Sequence, residues 1–265
     1  VAWSCVVTTA IRLITFDLDD TLWDSRPALE AGEAAQRSYL RNRFPSLALD
    51  MVHQELLSKL RQSLLHEQPE LIHKISLFRE TFIKRLLQSQ GVPEDESTIA
   101  ASEAFTAFLS HRHEVALFAN AGSVLTRLRQ RYQIGALTNG NADVRKTEIG
   151  QHFDFAWRAE EFGVSKPDPT FFHAAFAQVG VTPEEVIHIG DCHHNDVDGA
   201  AAAGAKAIWL KTGGGASDSG THTETITSSE NDSAPTVNLS VSASSIAENA
   251  GSSLTITATL SGAAN

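Results

Sequence analysis

The chain has 265 residues, a formal net charge of −11 and 42% apolar residues, enough for one large domain or two modest ones around a sizeable core. The acidic balance excludes non-specific nucleic-acid binding, which needs a basic footprint, although a few cations and a metal can still make one pocket receptive to an anion. No apolar run approaches the roughly 20 residues that span a bilayer, and two distant cysteines, Cys5 and Cys192, make no disulfide framework and fit a reducing compartment.

Residues 1–10 lack a basic segment followed by a long apolar stretch, so no signal peptide is read there; they are an N-terminal extension without an initiator Met. Residues 11–16 form an apolar, β-branched run ending in acids, a buried strand. From Pro27 to about His113 the pattern is helical. Leu56, Leu57, Leu60 and Leu64 fall on one face, as do Phe78, Phe82 and Leu86. Then short strands alternate with helices: strands over 115–118, 133–137, 155–158, 186–189 and 207–210, helices over 121–131, 169–179 and 195–203. Gly180 closes one helix, and Thr182, Pro183 and Glu185 supply a cap, a first-turn proline and a capping-box partner. Such alternation predicts an α/β fold with a parallel sheet, helices on both faces and ligands at the carboxyl ends of the strands.

Four motifs sit at those ends. In Asp17-Leu18-Asp19-Asp20-Thr21, carboxylates two apart can face one side of an extended segment, and repel unless a cation or shared proton stabilises them; acids after a strand also cap helices or line solvated turns. Thr138-Asn139-Gly140 offers a hydroxyl, an amide and close backbone approach, suited to phosphoryl oxygens, although Asn-Gly is also an ordinary turn. Lys166-Pro167-Asp168 supplies a point charge for phosphate, or a helix start with a surface lysine. Gly190-Asp191-Cys192-His193-His194-Asn195-Asp196 carries Asp191 and Asp196, hard oxygen ligands of the kind magnesium prefers. His193 and His194 suggest zinc, but adjacent side chains diverge and no matching Cys/His set occurs elsewhere; they read as exposed loop histidines, and Cys192 as a small packing residue.

In this order, each after a strand, the motifs resemble those of the haloacid dehalogenase superfamily over about residues 11–212. The resemblance implies a Rossmann-like core with a helical C1-type cap inserted after the first motif, the core being 11–24 and 114–212 and the cap 25–113. Residues 17–27 and 138–142 are most similar to bacterial phosphatases of the YigB type, which act on the riboflavin precursor 5-amino-6-(5-phospho-D-ribitylamino)uracil and on FMN. By that resemblance Asp17 is the nucleophile that forms an aspartyl-phosphate, and Asp19 the general acid and then base. Mg2+ is held by the Asp17 carboxylate, the Asp19 carbonyl and Asp191, with Asp196 as an outer partner. Thr138 and Lys166 bind the phosphoryl oxygens and Asn139 supports them. The expected partner is a small phosphorylated metabolite in the cytoplasm. A dehalogenase on the same fold needs no proton for its halide, so Asp19 favours a phosphatase. A P-type ATPase is set aside because no membrane spans are present. Substrate choice is expected in the cap; Arg26, Arg79 and Trp23 are conceivable contacts, although surface charge or core packing accounts for each more simply.

From residue 213 onward there is no Lys, Arg or aromatic residue, while five of the 32 acids lie there. Residues 213–235, opening on three glycines, read as a flexible linker. Residues 236–241 and 253–260 alternate with period two, as half-buried strands do. Between them Ser245-Ile246-Ala247-Glu248-Asn249-Ala250-Gly251 resembles the opening of a Calx-beta repeat, so 236–265 is read as a Calx-beta-like fragment or a disordered tail. This gives an alternative function, part of a modular extracellular adhesion or calcium-binding protein. A truncated or chimeric reading frame accounts for both ends. The stretch is expected to be dispensable for catalysis.

Overall fold

The computed structural model describes residues 10–47, 49, 52–210, 236–242 and 255–261. Its centre is a sheet of five parallel strands in the order β3-β2-β1-β4-β5. The strands are β1 (Leu13–Phe16), β2 (Gln133–Thr138), β3 (Phe155–Arg158), β4 (Val186–Gly190) and β5 (Lys206–Trp209). All four residues of β1 are buried, as expected of a central strand covered on both faces. Alternation along the strands divides the core. Leu13, Leu137 and Val186 pack with Phe171, Phe172 and Phe176 of α7 (Pro169–Val179) and Ala200 of α8 (Gly199–Ala202). On the other face Ile14, Phe16, Ile134 and Ala136 pack with Leu18, Leu22, Trp23 and Leu125 of α5 (Ala121–Leu128).

Local chemistry sets the ends of these elements. Asp168 caps α7 by accepting from the Thr170 backbone N–H, Pro169 occupies its first turn, and Gly180 ends it at φ 71°. The capping box between Thr182 and Glu185 is present. A short helix, α6 (Ala159–Phe162), follows β3.

Four helices are inserted between β1 and α5: α1 (Arg26–Arg43), α2 (Gln54–Glu67), α3 (Ile75–Ser89) and α4 (Glu94–Arg112). They carry their own core, with Leu40, Phe44, Ile83, Leu87, Ala100, Ala101 and Ala104 in one cluster and Leu64, Leu71 and Phe78 in another. The two segments joining this cap to the sheet domain run side by side. Trp23 forms an antiparallel bridge with Leu117, and the Phe118 N–H donates to the Leu22 carbonyl at 2.9 Å. Farther out, His73 Nδ1 lies 2.8 Å from Ser165 Oγ, and the Ser76 N–H donates to Glu160 Oε2 at 3.1 Å.

Several elements differ from the sequence expectation. Residues 115–118 form no strand of the sheet; Leu117 is used on Trp23 instead. Helix α5 ends at Leu128 rather than near 131, because Gln133 must already pair beside Leu13. The helix expected over 195–203 begins two residues earlier as a π-helical turn, His193–Asp198, before α8. In α2 only Leu64 is buried, and in α3 the buried residues are Phe78, Ile83 and Leu87. Periodicity identified the helix α3, but packing against α4 selected a stripe rotated from Phe82 and Leu86.

Strands β6 (Thr236–Ser242) and β7 (Thr255–Ser261) pair antiparallel, Thr236 opposite Ser261 and Ser242 opposite Thr255. They match the expected strands within about two residues. The linker reading of 213–235, the Calx-beta-like segment 245–251 and residues 1–9 with Cys5 lie outside the described residues.

Phe172 has no exposed surface and packs against Phe171, Phe176 and the ring of His188. Phe172→Ala should therefore destabilise the fold by about 3–5 kcal/mol, read as a lowered urea midpoint with an unchanged slope.

Candidate active site

The carboxyl ends of β1, β2 and β4 converge on one small volume. After Phe16 the chain turns tightly. Asp20 sits at φ 60°, its N–H donates to the Trp23 carbonyl at 2.8 Å, and its carboxylate accepts from the Ser25 N–H at 2.9 Å and the Ser25 hydroxyl at 3.2 Å. Asp tolerates the left-handed conformation better than most residues, and its side chain bonds nearby backbone. The turn leaves Asp17 at the strand end and brings Asp19 back beside it.

Lys166 reaches this point from the loop before α7. Its ammonium donates to Asp17 Oδ1 at 2.7 Å and to Asp196 Oδ1 at 2.6 Å, all three groups being buried. Burial opposes the Lys166 charge, but the two carboxylates outweigh it and hold its pKa above the usual range. For Asp17 burial wins over Lys166, with Asp196 adding repulsion, and its pKa is pushed up to about 7. For Asp196 burial acts upward, but Lys166 and His188 pull it well below the usual carboxylate range.

Oxygens of Asp17, Asp191 and Asp196 lie within 4.8 Å of one another. Asp191 is half-buried, accepts from the Thr21 hydroxyl at 3.2 Å, and is raised by burial and by Asp196. A donor set made only of carboxylate oxygens suits a hard divalent cation rather than zinc or copper.

Neighbouring groups fix these side chains. Asn139 clamps the Lys166 backbone from both sides, its amide donating to the Lys166 carbonyl at 2.8 Å and its oxygen accepting from the Lys166 N–H at 2.9 Å. The Asn139 side chain thus positions Lys166. Thr138 is buried, and its Oγ1 accepts from the Gly140 N–H at 3.0 Å. Asp196 Oδ2 accepts from the Cys192 N–H at 2.9 Å, and His188 bridges Asp196 Oδ1 at 3.1 Å and Thr15 at 2.9 Å. A methyl group at Gly190 would lie 2.2 Å from the Asp196 carboxylate, so that strand end accepts only glycine.

The structure thus gathers Asp17, Asp19, Thr138, Asn139, Lys166, Asp191 and Asp196. The three-acid cluster does not include Asp19, although the Asp19 charge acts on Asp17. The Asp19 carboxylate accepts from the Trp23 indole N–H at 2.9 Å on Oδ1 and from Arg112 on Oδ2. His193 and His194 remain outside, exposed beside Asp198, on the π-helical turn rather than on a loop. Cys192 is half-buried, its Sγ 3.5 Å from the Asn195 N–H. Arg26 is exposed beside Asp24, and Arg79 lies over the Phe108 ring, 4.0 Å from its centroid, paired with Glu33.

Sequence reasoning missed His188, Asn141 and Arg112, and weighed Trp23 as a substrate contact or core packing rather than as a partner of Asp19. A lone polar residue inside the apolar strand Val186–Gly190 was a usable signal for His188. No local pattern marks Arg112, which lies 93 residues from Asp19.

A family model described as haloacid dehalogenase-like hydrolase matches residues 11–204. The chain is 31% identical over 201 residues to the 5-amino-6-(5-phospho-D-ribitylamino)uracil phosphatase YigB of Escherichia coli (strain K12), covering 76% of this chain and 84% of that one. It is 34% identical over 143 residues to a phosphoserine phosphatase of Thermus thermophilus, covering 51% of this chain and 55% of the relative. Among solved structures, a 2-haloacid dehalogenase from Pseudomonas syringae pv. Tomato DC3000 superposes with TM-score 0.73 at 40% identity, covering 79% of this chain and 90% of that one.

Burial lowers the pKa of His188 to about 4. The unfolded chain takes up this proton near 6.5, the folded one only near 4. Neutral His188 therefore contributes full stability above about 6.5, lost as pH falls towards 4. Unfolding free energies of wild type and His188→Gln, compared from pH 7 to pH 4.5, should differ in slope by up to about 1.4 kcal/mol per pH unit, the wild type falling more steeply.

Proposed function

The chain belongs to the haloacid dehalogenase-like hydrolases, and on that premise we propose that it is a magnesium-dependent phosphomonoesterase acting through an aspartyl-phosphate on Asp17. The observation that carries this reading is the separation of two neighbouring acids. Asp17 pairs with buried Lys166 and clusters with Asp191 and Asp196, a cluster that does not include Asp19, whose carboxylate is held by Trp23 and Arg112. That division supports a reading in which one acid attacks and the other handles a proton.

Asp17 attacks phosphorus as the bond to the leaving oxygen breaks, and Asp19 gives that oxygen a proton. Asp19 then takes a proton from the water that hydrolyses the acyl-phosphate. Lys166 and Thr138 bind the phosphoryl oxygens, and Asn139 holds Lys166 in place. The carboxylates of Asp17 and Asp191 with the Asp19 carbonyl would hold Mg2+, Asp196 acting as an outer partner. When bound, the cation offsets repulsion between a phosphate dianion and a carboxylate nucleophile. The substrate is a small phosphorylated metabolite of the cytoplasm, 5-amino-6-(5-phospho-D-ribitylamino)uracil or FMN in riboflavin metabolism; the likeness to the Escherichia coli phosphatase supports the first of the two substrates.

The likeness to the Pseudomonas syringae structure, named a dehalogenase, favours a second reading, carbon–halogen hydrolysis on the same aspartate. A halide leaves without a proton, so that chemistry gives Asp19 no task as an acid and only that of a base in the hydrolytic step. Phosphate and halide release, measured over panels of phosphomonoesters and 2-haloacids, separate the two. Halide release without phosphate release would sink the phosphatase reading.

Asp17→Asn should keep the far-UV circular dichroism of the wild type and lower phosphate release by at least about 10³-fold, since an amide forms no acyl-phosphate. Near-normal turnover would rule out the covalent route.

Magnesium should raise the melting temperature, and more at pH 8 than at pH 6. With its pKa near 7, Asp17 holds a proton in the cation-free protein at the lower pH, and that proton competes with the metal. At the higher pH its buried charge costs stability, which the cation offsets. An equal rise at both pH values would contradict this site.

A further inference from the structure

We propose that Arg112 is a positioning residue for Asp19, an assignment that rests on the phosphatase reading and extends it. Arg112 ends α4, the last helix of the cap, with 1% of its surface exposed. Its Nε donates to Asn141 Oδ1 at 2.9 Å and its Nη2 donates to Asp19 Oδ2. Asn141 belongs to the loop after β2, so the guanidinium is fixed by one core loop while it holds the acid of another. The indole N–H of Trp23 occupies Asp19 Oδ1 at 2.9 Å. With a donor on each oxygen, the carboxylate is fixed in plane and rotation, and each oxygen keeps a lone pair for a proton.

Two further facts separate this from a simple tie between cap and core. Arg112 Nη1 is buried with no hydrogen-bond partner among the described residues, an unfavourable arrangement that a structural tie gives no reason to keep, since apolar pairs of similar volume serve as well. Also, a methyl group at Gly140 would lie 2.5 Å from Asp19 Oδ2 and 3.3 Å from both Arg112 Nη2 and Thr138 Oγ1. The loop after β2 is thus stripped of a side chain where the Arg112–Asp19 pair sits, beside the hydroxyl assigned to the phosphoryl group.

Orientation matters in one step. As the Asp17 oxygen bonds to phosphorus, the bond from phosphorus to the leaving oxygen breaks, its electron pair stays on that oxygen, and the Asp19 proton passes to it. An alkoxide or a basic phenolate needs this proton; a nitrophenolate does not. Loss of Arg112 should therefore weaken turnover in proportion to the basicity of the leaving group, which loss of packing would not do.

The test is kcat/KM, which reports the step that expels the leaving group, over p-nitrophenyl phosphate, phenyl phosphate and the alkyl phosphates that the wild type hydrolyses. Arg112→Met should lower the value for the most basic leaving group by about 10²-fold and that for p-nitrophenyl phosphate by less than about threefold. Arg112→Lys, which keeps the charge and loses the fork, should fall between wild type and Arg112→Met, and it carries the same comparison if the methionine variant does not fold. An equal fall across the series would make Arg112 a structural tie and overturn the inference. If the wild type releases phosphate from no ester, the phosphatase reading itself has failed, a result distinct from a flat series.

Discussion

A buried ammonium between two buried carboxylates is the constraint on which this site depends. Lys166 donates to Asp17 and Asp196 at 2.7 and 2.6 Å. Two carboxylates so close repel, and a buried ammonium without a counter-ion is costly. Removing one member of a buried pair typically costs about 3–5 kcal/mol, because the survivor is left uncompensated. The three groups are therefore maintained together, and each comes from a different part of the chain. Asp17 follows the central strand β1, Lys166 precedes α7, and Asp196 sits on the π-helical turn after β4. A parallel sheet brings these segments together because the carboxyl ends of its strands share one edge.

The surrounding polar groups serve that arrangement. The Asn139 amide uses both its heteroatoms on the Lys166 backbone. His188 stays neutral and joins Thr15 of β1 to Asp196 across adjacent strands. Gly190 leaves room for the Asp196 carboxylate. The excess negative charge of Asp17, Asp191 and Asp196 over Lys166 gives the site its attraction for a hard cation.

The cap contributes more than a cover. Its linkers are joined by the Trp23–Leu117 bridge, and from these regions come the two donors on Asp19, the Trp23 indole and the Arg112 guanidinium. Contacts of His73 with Ser165 and of Ser76 with Glu160 fasten the far side, the former one residue before Lys166. Cap placement and the setting of both Asp19 and Lys166 are thus mechanically connected.

The sequence by itself determined the strand–helix alternation, the motif residues and their order, because each rests on local rules. β-Branched runs mark buried strands, Asp168 with Pro169 and Gly180 mark the ends of α7, and paired acids after a strand mark a charged turn. It also separated the exposed histidines from the acids, since no matching Cys/His set accompanies them; in the structure both rings turn to the exposed Asp198. Tertiary structure alone decided what depends on residues distant in the chain. The buried stripe of α3 follows its partner α4, the end of α5 follows the register of β2, and residues 115–118 pair with Trp23 instead of entering the sheet. The same holds for Arg112, whose position at the end of a cap helix acquires meaning only when folding sets its guanidinium on Asp19. Local propensity carries no record of which groups share a buried volume, and electrostatics within that volume fixes the protonation of Asp17, His188 and Asp196.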